Sequence, residues 1–294
     1  MEVIGEVFDA PDWFRQAISV PSSSQSIHVD GCNVHYRCWN SMDHGKPPLL
    51  FAHGFLAHSH WWDFIAPFFM DRYRVFALDF SGMGDSEHRS VYDIAIWRDE
   101  IAAVARHLDD GPVTLVAHSF GGARAVEACA TYHELFRQLV VLDSYLHFED
   151  NTKRQNRFQS SDSPPRRHVD LASAMRRYRL IPDQDAPVYI KEHLARHSLR
   201  RYQDGWGWKF DELALIAPRN EPDSTKMLAK LALPVSLVFA QHSRIATRER
   251  MQRITKLLPN CNAVIEIPAA NHHLFLDQSL AVVSCLRTLF ALPR

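Results

Sequence analysis

The chain has 294 residues, 46% hydrophobic and 23% charged, with a formal net charge of −1. That is room for one α/β domain carrying an insertion, with a substantial core. The balanced charge gives no electrostatic case for nucleic acid or an anionic membrane as partner, and no apolar run reaches the roughly 18 residues that would span a bilayer. Cys32, Cys38, Cys129, Cys261 and Cys285 are odd in number and form no CxxC pair, so neither a disulfide framework nor a zinc site is favoured. The opening MEVIGEVFDAPDW is acidic and lacks the basic and apolar regions of a secretory leader. A cytoplasmic protein with reduced thiols, no cofactor and no metal is expected.

In chain order, NVHYRCW (33–39) alternates and predicts a strand. PPLLFA (47–52), YRVFALD (73–79), PVTLVA (112–117) and QLVVLD (138–143) are continuous apolar runs, as expected of strands buried on both faces. Between them, 59–70, 93–108 and 121–133 carry helical spacing. Strand alternating with helix implies an α/β fold with a mostly parallel sheet and helices on both faces. The rhythm breaks at Tyr145 and resumes with PVSLVFA (234–240), a helix near 247–258, NAVIEIP (262–268) and a last helix near 276–291. The expected organisation is a core of 1–144 and 233–294 with a helical cap inserted at 145–232. The insertion holds 16 Lys and Arg against 12 Asp and Glu. Solvated helix faces explain that excess, and a cap attracting a carboxylate-bearing substrate is the sharper alternative.

The chemistry concentrates in LVAHSFGGARAVEA (115–128), where Ser119 stands between a buried run and a helical one. In a parallel α/β sheet the carboxyl ends of the strands open onto a crevice. A nucleophile on a sharp turn there projects from the sheet, and its neighbours must be small. Ala117 stands two before Ser119 and Gly121 two after, which is G-x-S-x-G with alanine for the first glycine. The following helix aims its N-terminal N–H groups at the site. A helix N-cap serine would look similar in isolation.

With these residues in view, the chain resembles the α/β-hydrolase family over nearly its whole length. FAHGF (51–55) looks like the family's His-Gly-x turn, LDFSGMGDS (78–86) like its Asp-x-x-Gly-x-Gly-x-Ser loop, and IPAANHHLFLDQ (267–278) like the late segment bearing the catalytic histidine. The resemblance implies Ser119 as nucleophile and His272 as base, with Asn271 where the family has glycine and His273 as the adjacent rival. It implies the backbone N–H groups of Phe55 and Phe120 as the oxyanion hole. His53, Gly54 and His118 are expected to shape the loop and substrate pocket. Trp206 and Trp208, with Phe55, Trp61 and Trp62, suggest an apolar acyl pocket under the cap, and core packing is the rival account of each ring.

The acid departs from the common pattern. After the strand 234–240 many family members carry Gly-x-x-Asp, but here Ala240 replaces the glycine and Ser243 stands in the aspartate's place. No carboxylate occurs between Asp223 and Glu249. The family's second location follows the strand 138–143, and Asp143 ends it, 24 residues past Ser119. Asp143 is therefore read as the triad acid, and Asp79 as a structural residue of the Gly-rich loop. The expected activity is cleavage of a carboxylic ester, a small-molecule acyl substrate, through an acyl-enzyme. A thioesterase, lactonase or C–C bond hydrolase with the same triad is the near alternative. A ligand-binding protein without turnover is the distant one, and the empty acid slot is its single support.

Overall fold

The structure, a computed structural model, describes residues 10–109, 111–148, 166–217 and 221–292. The chain enters through α1 (Asp12–Ser19), then β1 (Ser23–Val29), β2 (Cys32–Trp39), β3 (Pro48–Ala52) and β4 (Arg74–Leu78). It continues with α2 (Ile94–His107), β5 (Val113–His118), α3 (Phe120–Thr131) and β6 (Phe136–Leu142). The insertion supplies α4 (Leu171–Met175), α5 (Val188–His197), β7 (Leu199–Tyr202), β8 (Gly205–Trp208), α6 (Glu212–Ile216) and α7 (Ser224–Leu228). The core closes with β9 (Val235–Ala240), α8 (Arg248–Leu257), β10 (Cys261–Ile267), α9 (Leu274–Asp277) and α10 (Ser279–Ala291).

Every residue of β3, β4, β5 and β9 is buried, which is why these strands read as unbroken apolar runs. They lie inside an eight-stranded sheet of order β1-β2-β4-β3-β5-β6-β9-β10. Only the β1–β2 and β2–β4 pairs are antiparallel. Successive side chains leave opposite faces. Leu50 and Leu115 join Trp97, Ile101 and Val126 of α2 and α3 in one layer. Phe51, Val116 and Val140 join Phe14 of α1 and Leu286 of α10 in the other. Each large apolar side chain so buried contributes about 1.5–3 kcal/mol. Asp93 caps α2 by accepting from Ile96 N at 3.0 Å, and Arg106 and His107 sit in its last turn, where cations complement the helix dipole.

Pairing register fixes where the chemistry falls. Ala52 pairs with Ala117, His118 with Leu142, and Leu142 with Val238. The residues that follow, His53, Ser119 and Asp143, therefore emerge side by side along one edge of the sheet.

Two expectations need correction, and for Trp62 one of two open accounts holds. Residues 59–70 form not one helix but two 3₁₀ turns, Ser59–Trp62 and Ala66–Phe69. Pro67 has no N–H for the carbonyl of Asp63, and its ring crowds that carbonyl. The insertion is not purely helical: β7 and β8 form an antiparallel hairpin in which Leu199 pairs with Trp208 and Tyr202 with Gly205. Trp62 is a core residue, fully buried and stacked between Phe51 and Phe275 at centroid distances of 4.7 and 4.6 Å. Residues 149–165 and 218–220 of the expected cap lie outside the described residues.

Candidate active site

Ser119 sits between β5 and α3 at φ 53°, ψ −117°. A non-glycine residue at such a positive φ carries strain of order 1–3 kcal/mol, which surrounding bonds must hold. Here its N–H donates to Leu142 O at 2.9 Å, and its carbonyl accepts from Gly122 N at 3.1 Å. The glycines are steric requirements. A Cβ on Gly121 would stand 2.4 Å from His53 O, and one on Gly122 would stand 1.9 Å from Ser144 Oγ. Ala117 is wholly buried in the core, so the alanine that breaks the G-x-S-x-G pattern has a place for its methyl.

His272, in the loop between β10 and α9, joins the serine to the acid. Its Nε2 is 2.9 Å from Ser119 Oγ, and its Nδ1 is 2.7 Å from Asp143 Oδ2. With Nδ1–H donating to the carboxylate, Nε2 is left to accept the serine proton. The rival His273 is turned elsewhere: its Nε2 meets Pro182 O at 3.2 Å, and its N–H donates to Gln184 Oε1 at 2.7 Å. Asn271, in the family's glycine position, binds Asp277 Oδ2 through its backbone N–H at 2.8 Å and its amide at 3.0 Å.

Asp143 follows β6 at φ 44° and is 1% exposed. Its Oδ1 accepts from Ala240 N at 2.9 Å. Its Oδ2 accepts from Ser243 Oγ at 2.6 Å as well as from His272. Ser243, standing in the common acid slot, thus serves the carboxylate that took over the slot's position. A donor role for Ser243 toward Asp143 is not among the sequence expectations. The available signal was that a hydroxyl, unlike an alkyl side chain, can donate to a neighbouring carboxylate.

The FAHGF turn closes the other side. His53 is fully buried; its Nε2 accepts from Phe80 N at 3.1 Å, so its Nδ1–H donates to Gly54 O at 2.7 Å. Desolvation lowers its pKa despite the nearby Asp79, and the neutral tautomer braces the turn. A Cβ on Gly54 would meet His118 Nδ1 at 2.9 Å and Ser119 Cβ at 3.4 Å, so the turn lies directly against the serine. The Phe55 and Phe120 rings are 5.5 Å apart. Phe120 opens α3, so its N–H is among the first-turn donors that have no acceptor within the helix.

His118 donates from Nε2 to the backbone carbonyl of His272 at 3.0 Å. Burial first, then His272 and His273, hold its imidazole well below its ordinary range. Burial does the same to His273. Asp79 accepts from His35 Nδ1 at 2.8 Å and Asp85 N at 2.9 Å. Burial opposes its charge, but the hydrogen bonds from His35 and from Asp85 N outweigh it and hold the carboxyl well below the usual range.

The insertion meets the loops at the carboxyl edge of the sheet. Ser198 Oγ is 2.9 Å from His58 Nε2, Asp211 N donates to Gly82 O at 2.8 Å, and Pro182 and Gln184 hold His273. Trp206 and Trp208 leave the same face of β8. Their aromatic and charge contacts lie within the insertion: Arg201 is over Trp206 at 6.0 Å, and Trp208 is 6.3 Å from Tyr178 and 6.4 Å from Phe210. Among the described residues, three clusters have side-chain atoms close enough to share a metal: His60, Asp63, His193 and His197; His118, His272 and His273; His35, Asp79 and Asp85. Hydrogen bonds and an ion pair already occupy much of the first: Asp63 Oδ2 accepts from His60 at 2.7 Å and His193 at 3.0 Å, and the Arg37 guanidinium is paired with Oδ1 at 3.1 Å. No helix among the described residues is long and apolar enough to cross a membrane.

A mostly parallel sheet of this order, with a strained serine at its centre and a histidine against it, defines a class that comparison with known proteins bears out. Residues 49–284 match the family model described as the alpha/beta hydrolase family. The chain belongs to that family and to the hydrolase class. It is 25% identical over 243 residues to an uncharacterised hydrolase of Bacillus subtilis, covering 79% of this chain and 85% of the relative. It is 23% identical over 238 residues to a 2-(acetamidomethylene)succinate hydrolase of Mesorhizobium japonicum, covering 80% and 84%. Among solved structures, the thioesterase domain from the curacin biosynthetic pathway superposes with a TM-score of 0.78 at 23% identity, covering 91% of this chain and 99% of that one.

Proposed function

We propose that the protein is a serine hydrolase that cleaves a carboxylic ester through an acyl-enzyme. The supporting observation is one chain of hydrogen bonds, Ser119 Oγ to His272 Nε2 and His272 Nδ1 to Asp143 Oδ2, at 2.9 and 2.7 Å. Ser119 Oγ attacks the acyl carbon as its proton passes to His272 Nε2. The N–H groups of Phe55 and Phe120 take the developing oxyanion, each worth about 10²–10³ in rate by analogy with measured holes. Collapse releases the alcohol, which takes the proton from His272. Water, deprotonated by the same nitrogen, then returns Ser119 and frees the acid. Asp143 orients the imidazole and balances its charge without itself accepting the proton. The empty acid slot was the support for a binding protein without turnover, and a carboxylate 2.7 Å from His272 removes that support.

The test is a fluorophosphonate probe. It should label Ser119 alone in the wild type and nothing in Ser119→Ala, which should also lose hydrolysis of short p-nitrophenyl esters while keeping its melting temperature. Labelling that survives the substitution would sink the proposal.

The proposal extends to the insertion as a cap whose inner wall includes Trp206 and Trp208, supported by its bonds to the loops after β3, β4 and β10. An apolar wall contributes about 0.8 kcal/mol per buried CH₂. Trp208→Ala should therefore lower kcat/KM on octanoate esters at least tenfold more than on acetate esters. Equal losses on both would assign the ring to the insertion's own packing.

A further inference from the structure

Three donors converge on the Asp143 carboxylate, and only one of them is the histidine. Ala240 N occupies Oδ1 at 2.9 Å, while Ser243 Oγ shares Oδ2 with His272, at 2.6 and 2.7 Å. The direction of the Ser243 bond is fixed locally. Its Oγ accepts from Ile245 N and Ala246 N, both at 3.0 Å. With both lone pairs so engaged, the hydroxyl proton has one place to go, the carboxylate. An O–H donor to an ionised oxygen at this distance is of the strong, charge-assisted kind. Asp143 itself is pinned, since its N–H donates to Val238 O at 2.8 Å and its backbone holds φ 44°.

We propose that, given the serine-hydrolase reading, Ser243 is a positioning residue of the triad: its hydroxyl, donating to Asp143 Oδ2, fixes the rotation of the carboxylate and takes a share of its charge. The oxygen that receives His272 Nδ1–H then has one orientation. Among the described residues, the other titratable rings packed against His272 are His118 and His273, at centroid distances of 4.9 and 4.8 Å. Burial holds both neutral, so neither competes for the carboxylate.

The experiment compares Ser243→Ala, Ser243→Val and Ser243→Thr with the wild type on a p-nitrophenyl ester, across pH. Ala and Val should each lower kcat about tenfold, with KM within about twofold, because a carboxylate freed to rotate presents Oδ2 to His272 Nδ1 only part of the time. The acid limb of kcat/KM should move to higher pH by about half a unit or more, since the freed carboxylate charge supports the imidazolium alone. Thr, which keeps the hydroxyl and matches Val in shape, should restore both. In the Asp143→Asn background, Ser243→Ala should cost no more than about twofold, because the hydroxyl acts through the carboxylate. A purely structural Ser243 would cost the same factor in both backgrounds and leave the acid limb in place, and that result overturns the proposal. So does a folded Ala or Val variant with wild-type kcat. If neither folds, a folded Thr variant decides: wild-type kcat and acid limb sustain the proposal, and a loss beyond about tenfold ends it. Fluorophosphonate labelling is scored alongside. An unlabelled wild-type Ser119 removes the serine-hydrolase reading and this proposal together, whereas labelled Ser119 with an indifferent Ser243→Ala removes the proposal alone.

Discussion

Asp143→Asn should lower kcat by about 10⁴, the magnitude known for the same exchange in a serine-protease triad. The local geometry says why. The carboxylate accepts on every side, from Ala240 N, Ser243 Oγ and His272 Nδ1. An amide has one oxygen. If it faces Ala240, the NH₂ meets Ser243 O–H and His272, and the imidazole must present a bare Nδ1. Its proton then sits on Nε2, where it opposes the Ser119 hydroxyl. If the amide oxygen faces His272 instead, the NH₂ meets the Ala240 N–H, a buried donor against a donor, costing about 1–3 kcal/mol. Either way the negative charge that supports the imidazolium is gone. Circular dichroism should report a folded protein. Adding Ser243→Asp to Asp143→Asn should recover part of the rate, since that position lies 2.6 Å from the lost oxygen. A loss below about tenfold, or roughly 1.4 kcal/mol of barrier, would overturn Asp143 as the acid.

How much of this was legible in the sequence depended on how local the signal was. Ser119 announces itself because the strain of its turn is written into Gly121 and Gly122. Asp143 was reachable by its position at a strand end, since the sheet's parallel register carries strand ends to one edge. The choice of His272 over His273 rests on alignment alone; the bond that turns His273 away, to Pro182, spans 91 residues. The donor role of Ser243 spans 100 residues and depends on how the turn after β9 folds back, which no spacing reveals. β1 escaped because it is an edge strand, mostly exposed, whose sequence SSQSIHV has no apolar face to alternate. The β7–β8 hairpin did leave a trace: Asp204–Gly205 is a turn dipeptide, with Asp204 in the two-residue turn and Gly205 opening β8. Gly205 holds φ +136°, where a Cβ would meet His168 O at 2.6 Å. The arginines around it masked the trace as a solvated helix.

Gly121→Ala should show how tightly the elbow is built. Its Cβ would lie 2.4 Å from His53 O and 3.0 Å from Ala52 O. Both are backbone atoms at the end of β3, a strand paired to β5 through Ala52 and Ala117, so neither can turn aside as a side chain would. The first turn of α3 must move off the sheet, or the His53–Gly54–Phe55 turn must move away from Ser119. Overpacking of this kind costs about 1–3 kcal/mol, which for a chain of this length should lower Tm by roughly 2–12 °C. Both movements change the spacing of the Phe55 and Phe120 N–H groups, and a misplacement of about 1 Å costs near 10² in rate. The expected result, measured well below Tm, is a folded enzyme with kcat/KM down about 10²-fold or more. Ala117→Gly is the matched control. It removes a methyl from a buried strand position, costs about 0.5–1 kcal/mol in stability, and should leave kcat unchanged. A Gly121→Ala enzyme with wild-type kcat would mean that α3 can shift without moving Phe120, and that the two proposed oxyanion donors are not held to each other through this contact.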